Sequence, residues 1–143
     1  CEVVNRDTLS VIVKKRPQME TENLLDAYVG LRREMESYTK YLKAWNKKAA
    51  LWGASHQGFT LAATTPLGKY ASYIIDSAPF KQGKYAPASH LPIVGPDHFK
   101  EQPVDAIIIT APGYTDEIAS IIRRDFGDRV EVRAIRSNHL EMV

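Results

Sequence analysis

The residues best placed to do chemistry form one glycine-bracketed hexapeptide, Gly53-Ala54-Ser55-His56-Gln57-Gly58. It lies between a short apolar run, Ala49 to Trp52, and a segment from Gly58 to Thr64 that reads as a helix. This is the position of the dinucleotide fingerprint, whose outer glycines permit a tight turn and close packing of helix on strand. Ser55 takes the middle place, where glycine ordinarily lets the backbone approach a pyrophosphate. Its hydroxyl can itself donate a hydrogen bond. Asp76 lies 23 residues beyond Gly53, at the end of a second apolar run, where a ribose-binding carboxylate would stand. The residues alone leave two readings open, a nucleotide-binding turn and a structural strand-to-helix turn.

Other chemistries fail on spacing. A phosphate-binding P-loop needs Lys and Ser/Thr after its second glycine, and Phe59-Thr60 follows here. A nucleophile elbow needs one residue between Ser and the second glycine, where this chain has His56-Gln57. The four histidines include no i, i+4 pair, and there is one cysteine, so no metal site is expected. Lys81-Gln82-Gly83-Lys84-Tyr85 is a cationic loop beyond the second apolar run, followed by His90. Ligands of open α/β sheets bind outside the carboxyl ends of the strands. The Gly53 turn, this loop and Ala111-Pro112-Gly113-Tyr114 are therefore expected along one edge, facing an anionic phosphate or a protein surface. A plain solvated loop is the alternative.

Those residues need a scaffold. Leu24, Tyr28, Leu31, Met35, Tyr38, Leu42 and Trp45 alternate spacings of four and three, predicting a helix over Met19 to Asn46. The stripe packs either along its own domain or in a dimer seam. Leu9 to Val13 reads as a strand stopped at Pro17, with no hairpin partner evident nearby. From Ala49 onward, strands are expected at Ala49–Trp52, Tyr70–Ile75, Leu91–Val94, Ala106–Thr110 and Arg129–Ile135. Helices fall between them, including one over Thr115–Asp125 that stops at Gly127. Ala106 to Thr110 is the most apolar and is expected in the centre. The fold class is α/β: a Rossmann-like parallel sheet flanked by helices, preceded by a long helix and a short N-terminal strand.

Composition agrees. The 143 residues are 44% apolar and 25% charged with a net charge of +2, which excludes global disorder. So small an excess of positive charge gives no case for nucleic acid. No apolar run approaches the ~20 residues that cross a bilayer. The first ten residues show no signal-peptide pattern, so a cytoplasmic location is expected.

Three segments carry a resemblance. Leu51-Trp52-Gly53-Ala54, then Ile75-Asp76-Ser77-Ala78-Pro79-Phe80-Lys81-Gln82-Gly83-Lys84, then Pro87 with His90-Leu91-Pro92-Ile93-Val94 occur in order. They resemble the C-terminal domain of sugar C-methyltransferases. That family has a Trp-Gly-Ala-Gly turn, an Asp-x-Asn-Pro-x-Lys-x-Gly-Lys loop and a Pro-Gly-x-x-Ile-Pro-Val segment. The resemblance spans roughly Lys47 to Ile109. It implies a plan of a zinc-binding domain, a central S-adenosylmethionine-binding domain and this Rossmann-like domain. In that plan the methyl donor and catalytic base belong to the central domain, and this domain carries no cofactor and helps enclose a nucleotide-linked sugar. On this basis residues 1–17 are expected to be a residual strand of a preceding domain, 18–47 a connecting helix and 48–143 the Rossmann-like domain.

The chain departs from the family at Ser55-His56-Gln57, at Ser77-Ala78 and at Ala111-Pro112-Gly113-Tyr114, all at the expected ligand edge. The substrate-binding candidates are Ser55, His56 and Gln57, then Lys81, Lys84, Tyr85, His90 and Tyr114. They would contact phosphate and sugar, with Tyr85 or Tyr114 stacking on a base. Gly53, Gly58 and Asp76 are assigned to the turn. The expected partners are the preceding methyltransferase domain, the small-molecule substrate and, through the helical stripe, a second copy. A free-standing NAD(P)-binding or sensing domain is the rival function.

Overall fold

The computed structural model describes residues 2–5, 8–10 and 22–143. Two short strands, β1 (Glu2–Asn5) and β2 (Thr8–Ser10), pair antiparallel. The expected N-terminal strand thus has a local partner after all, one too short to show in apolar patterning. Its continuation over 11–13 lies outside the described residues.

Helix α1 spans Glu22–Ala44. Asn46, at φ 49°, ends it in a Schellman arrangement. The Lys47 N–H donates to the Leu42 carbonyl at 2.9 Å and the Asn46 N–H to that of Lys43 at 3.1 Å. The apolar stripe divides. Met35, Tyr38 and Leu42 are buried against the sheet, whereas Leu24, Tyr28 and Trp45 are exposed. The helix is therefore part of this domain's core from Leu31 onward.

The main sheet has the order β5-β4-β3-β6-β7-β8, with β3 Ala49–Trp52, β4 Ile74–Ile75, β5 Ile93–Val94, β6 Ala106–Ile109, β7 Glu131–Arg136 and β8 His139–Met142. The first five strands of that row are parallel. The run 5-4-3-6-7 reproduces the doubly wound order, with its reversal between β3 and β6. β8 adds an antiparallel edge, an element absent from the sequence reading, so the sheet is mixed rather than wholly parallel. Its two-residue turn, Ser137-Asn138, has φ of 46° and 68°, the type I′ geometry that matches strand twist.

Alternating side chains feed two cores. Leu51, Ile74 and Ile108 face α1, α2 (His56–Thr64) and α3 (Leu67–Tyr70). Trp52, Ile75, Ile107 and Ile109 face α4 (His98–Glu101) and α5 (Thr115–Phe126). The result is a three-layer α/β/α arrangement. β6 is buried along its whole length, as its unbroken apolar run requires. The expected strand over Tyr70–Ile75 shrinks to two residues because Leu67 to Tyr70 close a helical turn. Gly68 packs there so tightly that a β-carbon would meet the Ala62 carbonyl oxygen at 1.8 Å.

Candidate functional site

The turn after β3 is built around two glycines. Gly53 adopts φ 121°, which an L side chain rarely takes, and a β-carbon there would lie 3.0 Å from Thr110 Oγ1. At Gly58 a β-carbon would meet the Gly53 carbonyl oxygen at 2.3 Å. The second glycine thus lets α2 sit directly on the turn, the packing role expected of it. Thr110, buried at the end of β6, donates to the carbonyls of Trp52 and Gly53 at 3.1 and 3.0 Å, fixing the turn to the switch point. Ser55 caps α2, its hydroxyl accepting from the Gly58 N–H at 3.5 Å. Its side chain is thereby engaged by the helix.

Asp76 stands at the end of β4 as expected, but its carboxylate is engaged. Oδ2 accepts from the Ala54 N–H at 2.8 Å and Oδ1 from the Ala78 N–H at 2.9 Å. Lys81 Nζ reaches Asp76 Oδ2 at 3.0 Å and donates to the Ala54 carbonyl at 2.8 Å. Gln82 Nε2 donates to the Asp76 carbonyl at 3.0 Å. Where a dinucleotide fold holds a ribose, this chain holds its own ammonium group.

The cationic loop does not stay on the edge expected for it. The Gly83 N–H donates to the Ile93 carbonyl, the Ile93 N–H to that of Lys84, and the Ala86 N–H to that of Leu91, at 2.8–2.9 Å. Residues 83 to 86 therefore run antiparallel beside β5, back toward the amino ends of the strands. Ala88 and His90, at φ 63° and 56°, form the tip at that far end. This segment lies three strand spacings from β3, about 14 Å. Lys84, Tyr85 and His90 are thus separated from the Gly53 turn, contrary to the shared-edge expectation. The separation follows from a backbone reversal that composition does not encode. Tyr114 ends a 3₁₀ turn, Pro112–Tyr114, just past β6 and is exposed.

A cleft of about 370 Å³ lies on the other side of the turn, beyond the carboxyl ends of β3, β6 and β7. His56 and Gln57 line it, so two of the eight binding candidates meet there. Thr60 and Thr64 continue their helix face, Tyr28 and Arg32 face them from α1, and Asn138 closes the end. Among the described residues lining the cleft, none is a carboxylate and Arg32 is the one permanent cation. Arg32 Nε pairs with Glu36 at 3.1 Å, and among the described residues neither Nη has a partner. The unused signal was periodic. His56, Thr60 and Thr64 recur every four residues, a polar stripe on a helix otherwise apolar but for Gln57, and Tyr28 and Arg32 share that spacing on α1.

A second polar cluster lies at the β7 edge. Glu131 accepts from Tyr38, Lys47 and Arg133 at 3.1, 3.0 and 2.9 Å. Burial favours protonation of Glu131, but hydrogen bonds from Arg133, Lys47 and Tyr38 outweigh it and hold the carboxyl below its ordinary range. Burial, reinforced by Glu131, pushes the Tyr38 phenol well up. His139 Nδ1 lies 2.8 Å from Glu34 Oε1, and that hydrogen bond raises the imidazole's pKa. This cluster ties α1 to the β7–β8 hairpin. Among the described residues, no group of three His, Cys, Asp or Glu side chains is placed to hold a metal, and no helix is long and apolar enough to cross a membrane.

Residues 19–129, well over half the chain, match the family described as the C-methyltransferase C-terminal domain. No curated protein sequence matches the chain. Among solved structures, the crystal structure of UDP-D-quinovosamine 4-dehydrogenase from Vibrio fischeri is similar, with a TM-score of 0.52 and 19% identity. That likeness covers 68% of this chain and 93% of that one and concerns the fold.

Proposed function

The chain belongs to the C-methyltransferase C-terminal domain family, and from that premise we propose that it holds a nucleotide-linked sugar for an S-adenosylmethionine-dependent C-methyltransferase. The methyl donor and the catalytic base lie in a preceding domain. In this reading residues 1–17 belong to that domain, 18–47 connect and 48–143 bind substrate. The complex works in the cytoplasm. The observation that carries the proposal is the cleft at the β3/β6 reversal, the ligand position of open α/β sheets, lined by His56, Gln57, Thr60, Thr64 and Asn138. Closely set hydroxyl, amide and imidazole groups above apolar walls suit a polyhydroxylated ring.

The engagement of Asp76 by Ala54, Ala78 and Lys81 weighs against S-adenosylmethionine or a dinucleotide at the Gly53 turn, because the ribose of either is ordinarily held by a carboxylate at the end of the second strand. The same fact weighs against a free-standing NAD(P)-binding domain.

Thermal-shift titration of the chain tests the reading. A ligand at 100 times its dissociation constant stabilises by about 2.7 kcal/mol. UDP-glucose is expected to shift the transition, and S-adenosylmethionine, NAD(H) and NADP(H) to leave it in place. Stoichiometric binding of any of the latter at the Gly53 turn would defeat the proposal. A second copy seated on the exposed part of the α1 stripe, at Leu24, is the other proposed partner, and a clean monomer in sedimentation removes it.

A further inference from the structure

We infer that α1 is itself a wall of the substrate site, with Arg32 receiving a phosphoryl group of the ligand and Tyr28 packing on its ring. The inference rests on the proposed sugar-nucleotide reading and adds the residues and the charge that select the ligand. Three observations carry it. Tyr28 and Arg32 lie one turn apart on α1 and line the cleft opposite His56 and Thr60. Among the described lining residues, the cleft has no carboxylate, and its one fixed cation, Arg32, shares its charge with Glu36 outside the lining while its Nη nitrogens stay open to an anionic group. Arg32 spends only Nε on Glu36, leaving the planar end of its guanidinium for a second partner, the geometry that suits phosphate oxygens. Tyr28 is exposed where a helix facing only its own core would be covered. A ring seated on it would bury apolar surface that the domain leaves in water.

The placement also explains the position of the lysines. Lys81 is consumed by Asp76 and Ala54, and Lys84 lies beside β5, three strands from the turn. Among the described residues, Arg32 is the cation left at the cleft.

The test is calorimetry on the whole chain with UDP-glucose, UDP and uridine. Arg32→Gln is expected to weaken UDP-glucose and UDP about tenfold while leaving uridine unchanged, with Arg32→Lys recovering part of the loss. It is also expected to flatten the salt dependence of UDP binding, because a screened charge contact has been removed. Tyr28→Ala is expected to weaken all three ligands, and Lys84→Ala and His90→Ala none. If the wild type binds UDP-glucose but Arg32→Gln binds UDP unchanged, or loses uridine equally, α1 is not the phosphoryl wall and the sugar-nucleotide reading stands without it. If the wild type binds none of the three, that reading falls and this assignment with it.

Discussion

Lys81 Nζ lies 3.0 Å from Asp76 Oδ2, and both side chains grip the same residue, Ala54, one through its carbonyl and the other through its N–H. An ion pair reaching from the second parallel strand thereby fixes the backbone just ahead of the α2 cap. Replacing Asp76 by Ala leaves the N–H groups of Ala54 and Ala78 and the Lys81 ammonium short of partners. A loss of about 2 kcal/mol is expected, measured as a lower urea midpoint at unchanged slope.

The glycines divide by what surrounds them. Gly58→Ala is expected to cost about 2–3 kcal/mol, because its β-carbon would collide with the Gly53 carbonyl, which is backbone and cannot swing away. Gly30→Ala should do the reverse. It lies inside α1 with nothing within 4 Å of a β-carbon, so a gain of roughly 0.5–1 kcal/mol is expected from reduced unfolded-state freedom. Thermal denaturation of both variants checks the pair.

Glu131 anchors the α1–β7 contact through Tyr38, Lys47 and Arg133, and its side chain is 14% exposed. Glu131→Ala is expected to destabilise by roughly 2–3 kcal/mol, since it strands two cations and a phenol. Because the folded carboxyl titrates below its ordinary value of 4.5, its contribution is present above that pH and is lost as pH falls through the lower folded value. Acid unfolding monitored by circular dichroism should begin at higher pH once Tyr38 and Arg133 are replaced by Phe and Met.

His139 behaves with the opposite sign. Its hydrogen bond to Glu34 raises the imidazole above 6.5, so the stabilisation is complete below that pH and disappears as pH rises through the folded value. Denaturant midpoints of the wild type and His139→Gln should differ most below about pH 6.5 and converge at alkaline pH. A constant difference across that range would sink the assignment.

Much of the scaffold was legible along the chain. The apolar run of β6, the stripe of α1 and the isoleucines of α5 each reflect a local period that burial demands. The true length of β4 and the existence of the added strand β8 were not. Neither strand has a run long enough to show a period, and Ser137-Asn138 lacks the glycine that usually announces such a turn. Of the site, the sequence pointed to His56 and Gln57 through the glycines that bracket them. It also drew attention to Lys84, Tyr85 and His90, whose charge and aromaticity looked suitable, and backbone reversal beside β5 carried them elsewhere.

The sequence alone determined the order of the five parallel strands along the chain, the family and the turn at Gly53, because each rests on neighbours or near neighbours in the chain. Tertiary structure decided which titratable groups are spent and which face the cleft. Asp76 and Lys81 read as ligand-binding residues until their separation in space is known, and Tyr28 and Arg32 read as one face of a helix. Hydrogen-bond partners are chosen by distances across the fold, between residues such as Tyr38 and Glu131 that lie far apart in the chain, and local pattern carries no record of those distances.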